Sequence, residues 1–172
     1  RYQQQDAWTW EHQALLRSRA VAGDAGVKAA FEKLRVHALT SYVRRDKLAT
    51  EVAEMRQRMR AELSQGTDER FDVKQDPGGV ADIEFLVQYL VLREAHHHPD
   101  LVHWSDNIRQ LEALGAHGIL APADAELLAE TYRDYRRHIH RGNLAGRSGL
   151  VPHAEAAGLE ATVTRLWQAV FY

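Results

Sequence analysis

One stretch constrains the fold of this chain more than any other. From about residue 80 to 95 the sequence is apolar nearly all round, with Ile83, Phe85, Leu86, Val87, Leu90 and Val91. A helix that is apolar on every side has to be packed from several directions, so the remaining sequence must wrap around it. The uninterrupted run, Ile83 to Leu92, carries Glu84 and Gln88 and falls well short of the roughly 20 residues a membrane span needs. It is entered through Asp76-Pro77-Gly78-Gly79, a strong turn signal.

The flanking sequence can supply the wrapping. Asp6 is placed to cap a helix over about 7–21 that Gly23 ends, and Asp24 to cap a second over about 25–38. In that second helix Val27, Ala30, Phe31, Leu34 and Ala38 fall on one stripe. A third begins near Ser41 or Asp46 and stops before Gly66. Its apolar residues Leu48, Val52, Met55, Met59 and Leu63 recur at helical spacing, which directs Arg56, Arg58 and Arg60 elsewhere. After the central rod, Ser105 is placed to cap a helix over about 106–117 and Pro122 to open another through Tyr132, Tyr135 and Ile139. Residues 142–152 read as a glycine-rich loop before a last helix over about 154–171. Phe71-Asp72-Val73-Lys74 alternates with period two and predicts one short strand or extended arm. The expectation is an all-α fold. It is a bundle of about seven helices with one short extended insertion near residues 68–78, forming a single helical domain over 1–172.

Composition removes several functions. With 22 Lys+Arg against 24 Asp+Glu, the net charge of −2 is not that of a polycation built to coat nucleic acid. There is no cysteine, so disulfides, thiolate zinc sites, Fe–S clusters and thiol nucleophiles are excluded, in keeping with a reducing cytosol. No phosphate-binding loop, dinucleotide fingerprint or hydrolase nucleophile elbow is present, and no Asp-x-Asp offers the paired carboxylates of two-metal nucleotidyl transfer.

What could carry chemistry lies around the turn. Lys74, Asp76, Gly78, Gly79, Asp82 and Glu84 surround the start of the apolar helix. Helix-start amides without partners suit an anion, and Lys74 could add a charge, but three carboxylates oppose a bare phosphate. The commoner use of such residues is local: Asp76 or Asp82 capping its helix, Glu84 pairing with a basic residue. Asp82 and Glu84 are two apart and diverge on a helix, so they do not grip one metal together. The consecutive His96, His97 and His98 face different ways and have no partners at a zinc-like spacing in sequence. Arg133, Arg136, Arg137 and Arg141, with Arg147 beyond, form a basic stretch that is a solvated face or a docking surface for an acidic partner.

Phe71-Asp72-Val73-Lys74, then Asp76-x-Gly78-Gly79-x-x-Asp82-Ile83-Glu84-Phe85, then Gln88-Tyr89-Leu90-Val91-Leu92-Arg93 resemble the bacterial glutamine synthetase adenylyltransferase family. Ala7-Trp8-Thr9-Trp10-Glu11-His12 and Trp104-Ser105-Asp106-Asn107-Ile108-Arg109 add to the resemblance, which runs to about residue 140. It implies the helical part of the second, adenylylating half of a larger cytoplasmic enzyme, whose metal-binding carboxylates lie upstream on a nucleotidyltransferase domain. The implied parent reaction joins AMP from ATP to a tyrosine of glutamine synthetase with Mg²⁺, in the control of nitrogen assimilation. The resemblance also implies glutamine synthetase, a PII signalling protein and the upstream domains as partners, with no nucleic acid and no membrane. On this reading the piece alone is non-catalytic. Its turn segment faces the nucleotide cleft, or else only braces the fold while Arg133–Arg141 dock a protein.

Overall fold

Helix α4 (Val80–Glu94) is the rod that the sequence predicts, and eleven of its residues are buried, among them Ile83, Leu86, Val87, Leu90, Val91 and Leu92. The computed structural model describes Tyr2, residues 6–146 and residues 149–172. Among these, α1 (Thr9–Arg17), α2 (Ala25–Ser41) and α3 (Arg45–Leu63) precede α4. After it come a 3-10 turn (Pro99–Val102), α5 (Asn107–Ala116), α6 (Pro122–Leu144) and α7 (His153–Phe171). Strands β1 (Arg70–Asp72) and β2 (Leu150–Pro152) complete the set. α4 packs against α1, α3, α5, α6 and α7 and against the 3-10 turn, so one core surrounds it. The architecture is an all-α bundle of seven helices among the described residues, as the sequence predicts.

The extended insertion is β1, and its partner is a surprise. β2 comes from the glycine-rich stretch expected to be loop and pairs antiparallel with β1, Phe71 opposite Val151. The pairing satisfies backbone groups of the arm and seats Phe71, fully buried, near the ring of Tyr135. A three-residue strand carries too little pattern of its own to announce a partner some 80 residues away.

Two helix faces differ from the periodic reading, for the same reason: each buries an arginine. In α2 the buried residues are Arg35, Ala38 and Leu39, while Val27 and Leu34 are each 68% exposed. The Arg35 guanidinium donates to the carbonyls of Val102 at 2.7 Å and 2.8 Å and of Ser18 at 3.0 Å. It thereby takes up carbonyls at the end of α1, which stops at Arg17 rather than near residue 21. In α3 the inner face is Leu48, Val52 and Arg56, while Met55 and Met59 are half-buried and Leu63 is exposed.

Capping residues shift by one or two. Trp8, not Asp6, caps α1, with its N–H donating to Glu11 at 2.8 Å. Asp24 caps α2 as expected, accepting from Gly26 and Val27. Asp106 rather than Ser105 caps α5, accepting from the Arg109 N–H at 3.0 Å.

Candidate functional site

The start of α4 is closed. The N–H groups of Gly79, Val80 and Ala81 donate to the carbonyls of Asp76, Val73 and Lys74 at 2.9, 2.9 and 3.1 Å. The Asp82 N–H reaches the Gly79 carbonyl at 3.1 Å. The incoming arm folds back over its own helix and occupies the amides that a ligand would need. The expectation of outward-pointing amides suited to an anion is therefore corrected. Sequence spacing cannot reveal this closure, because it depends on the path of the arm, which the pairing with β2 fixes.

The two glycines are required by crowding. Gly78 has φ +83°, and a Cβ there would sit 2.6 Å from the Glu160 carbonyl on α7. A Cβ on Gly79 would sit 2.7 Å from the Val73 carbonyl. No side chain fits at either position without displacing backbone. The close approach expected of these glycines is made to the protein's own chain.

Asp82 is the centre of the segment. It is 2% exposed, and its Oδ1 accepts from Arg56 Nε at 2.7 Å. Oδ2 accepts from the Gly78 N–H at 2.8 Å, and Arg60 Nη2 lies 3.2 Å from both oxygens. Arg56 also donates to the Gln75 carbonyl at 2.7 Å. Burial pulls the Arg56 guanidinium below its ordinary value, and the Asp82 charge pushes it back up. The carboxylate therefore ties α3, the turn and α4 together. Asp76 holds the other side: its carboxylate accepts from the Asp72 N–H at 2.7 Å and from the Ser64 hydroxyl. Asp72 in turn accepts from the N–H groups of Lys74 at 2.9 Å, Gln75 at 3.1 Å and Gln65 at 3.1 Å.

Glu84 points away from Asp82, as their spacing predicts. It accepts from the Tyr132 hydroxyl at 3.0 Å and lies 3.9 Å from Arg17 Nη1. Burial first, then the Glu84 charge, holds the Tyr132 phenol above its ordinary range. These carboxylates do not fit a Mg²⁺ site. Asp82 is saturated by cations and an amide, and Glu84 faces a different neighbour, so no step through a metal is assigned to them.

Lys74 alone of the turn's charged residues is exposed, with no side-chain ion pair among the described residues. Nearby, Arg60, Pro77, Asp82, Trp167 and Gln168 line a cleft of about 210 Å³. Arg133, Arg136, Arg137 and Arg141 are exposed along the outer face of α6, where Arg137 pairs with Asp134. Arg147 lies outside the described residues. A second cavity of about 480 Å³ lies between Trp8, Trp10, Glu51, Met55 and Arg58, and Trp8 is 66% exposed there. Sequence reasoning missed the buried Arg35 and Arg56. The available signal was Arg56 at a four-residue step from Leu48 and Val52, in register with the inner face.

The family model described as GlnD PII-uridylyltransferase matches residues 46–147, and one described as glutamate-ammonia ligase adenylyltransferase matches residues 1–34. A bifunctional glutamine synthetase adenylyltransferase/adenylyl-removing enzyme from Hahella chejuensis is 47% identical over 175 residues, covering 99% of this chain and 18% of that protein. The protein of the same description from Thioalkalivibrio sulfidiphilus is 48% identical over 169 residues, covering 98% of this chain and 17% of that protein. One from Pseudomonas putida is 43% identical over 179 residues, covering 97% and 18% respectively. The chain thus spans less than a fifth of these relatives' length.

Proposed function

The chain belongs to the family whose model is described as GlnD PII-uridylyltransferase, which matches residues 46–147, and we propose that it is the helical support of a bifunctional glutamine synthetase adenylyltransferase/adenylyl-removing enzyme. The parent protein transfers AMP from ATP, with Mg²⁺, to a tyrosine of glutamine synthetase in the bacterial cytoplasm. The reacting carboxylates belong to a nucleotidyltransferase domain elsewhere in that protein, and this chain alone does not catalyse. The observation that carries the reading is the match over 99% of this chain to 18% of a much longer relative, beside a turn in which Gly78, Gly79 and Asp82 each have a structural task.

In this reading the turn from Lys74 to Glu84 is a brace. Asp82, Asp76, Gly78 and Gly79 hold α4 against α3 and α7, and a rigid α4 fixes the surfaces on either side. Lys74 is the residue of that segment free to meet a phosphate at the edge of an adjoining nucleotide cleft. The groove bearing Trp8 and Trp10 sets two exposed indoles among the charged side chains of Asp6, Arg44, Glu51, Glu54 and Arg58, a surface suited to a neighbouring domain.

A second reading rests on the exposed arginines of α6. Arg133, Arg136 and Arg141 give a cationic face for an acidic partner, either glutamine synthetase or a PII signalling protein.

One experiment addresses both readings. Full-length enzyme carrying Lys74→Ala, and separately Arg133→Glu with Arg136→Glu and Arg141→Glu, is assayed for adenylylation of glutamine synthetase. Lys74→Ala should raise the KM for ATP by about tenfold, the loss of one charge-assisted contact. The triple variant should raise the KM for glutamine synthetase with kcat kept, or else abolish the response to PII protein. Wild-type kinetics in Lys74→Ala remove the cleft role of that residue. Wild-type kinetics and wild-type PII response in the triple variant remove the docking role.

A further inference from the structure

The fold assembles a histidine cluster that the sequence keeps apart. His98 ends the link after α4, Asp100 lies in the 3-10 turn, and His117 caps the C-terminus of α5. One donor atom from each lies within 4.8 Å of the others. The His117 Nε2 is 2.6 Å from Asp100 Oδ2, and the rings of His98 and His117 have centroids 4.5 Å apart. The run of three consecutive histidines is not the cluster: the His96 and His97 rings meet each other edge to face instead.

We propose that His98, Asp100 and His117 form a site for one divalent transition-metal ion of the zinc class. Two imidazoles and one carboxylate are a borderline donor set, suited to zinc and poorly suited to calcium or magnesium, which take oxygen ligands. Three protein ligands leave the fourth tetrahedral position to water. Ligand bonds of about 2.0–2.2 Å place donor atoms about 3.3–3.6 Å apart, so the cluster needs adjustments of about 1 Å. The side chains can make them: Asp100 is 65% exposed and His117 29% exposed. A metal on Nε2 of His117 requires its proton on Nδ1, and the ion then takes the place of the hydrogen between His117 and Asp100. His117 stands at the C-terminus of α5, the end of a helix whose dipole favours positive charge. The ion would tie the link after α4 to the end of α5, and binding to the folded state alone adds stability.

The test is calorimetric titration of the untagged chain with Zn²⁺, with thermal melts in parallel. The expected result is one ion per chain and a raised melting temperature. His117→Ala should weaken binding by at least about tenfold and remove the thermal gain. Asp100→Asn, at an exposed position, serves as the second variant and should also weaken it. The double variant His96→Ala, His97→Ala should bind as the wild type does. Absence of binding to the wild type, binding that survives both His117→Ala and Asp100→Asn, or binding lost in the His96, His97 variant would each overturn the assignment.

Discussion

Removing the Asp82 carboxylate is the sharpest test of how this bundle is held. Asp82→Ala takes away the partner of Arg56 Nε, one side of the Arg60 contact and the acceptor of the Gly78 N–H. Arg56 is fully buried and keeps one hydrogen bond, to the Gln75 carbonyl, with only the weaker influence of the Asp72 charge and the Phe85 ring to offset the loss of its ion pair. Breaking a buried pair from one side costs about 3–5 kcal/mol. For a chain of this size each kcal/mol moves the melting temperature by about 2–4 °C, so the expected loss is roughly 6–20 °C. Arg56→Met should cost less, about 1–3 kcal/mol, because Asp82 retains Arg60 and the Gly78 amide and only the Gln75 carbonyl is orphaned. The double variant should cost less than the sum of the two, with a coupling of about 0.5–3 kcal/mol. Urea unfolding followed by circular dichroism reads all three. If Asp82→Ala does not fold, Asp82→Asn replaces it, since an amide oxygen can still accept from Gly78. The reasoning is refuted if Arg56→Met is the more damaging change, or if the two substitutions add within about 0.5 kcal/mol.

Gly78→Ala combines a left-handed φ with a Cβ 2.6 Å from a backbone carbonyl, whereas Gly23, at φ +112°, has nothing within 4 Å. The first should cost more than about 2 kcal/mol and the second about 1 kcal/mol, measured by the same unfolding curves. Burial, then the Glu160 and Asp82 charges, pushes the Tyr135 phenol well above its ordinary value. A raised folded-state value means the contribution is intact below about pH 10 and is lost as pH rises through the folded value. The Tyr135 hydroxyl is also buried without a hydrogen-bond partner among the described residues. Tyr135→Phe should therefore leave stability at pH 7 unchanged or raise it by up to about 1 kcal/mol, and should lessen the loss seen on alkaline titration.

The rod of α4 was legible because a helix apolar on all sides admits one arrangement, a centre with helices around it. Helix number and order followed from turn residues and periodicity, and Asp24 capped as its position predicts. The local reading of the turn held only in part: Glu84 lies 3.9 Å from the basic Arg17, but no side chain among the described residues caps α4, and Asp82 bonds instead to Arg56, Arg60 and the Gly78 N–H. Faces were less legible. Val27 and Leu34 share an apolar stripe yet stand in solvent, because Arg35 beside them takes carbonyls from α1 and from the 3-10 turn. Arg56 went inside, and Met55 and Met59 were left on a groove, because the carboxylate of Asp82 lies in the core opposite α3.

Local sequence, then, determined which segments are helical and which one is central, since propensity and apolar period act within a few residues. Tertiary structure decided what the buried charges pair with, which strand closes the arm, and that His98, Asp100 and His117 meet. Those outcomes depend on distances between residues 17 to about 80 positions apart, which chain folding sets and no local pattern encodes.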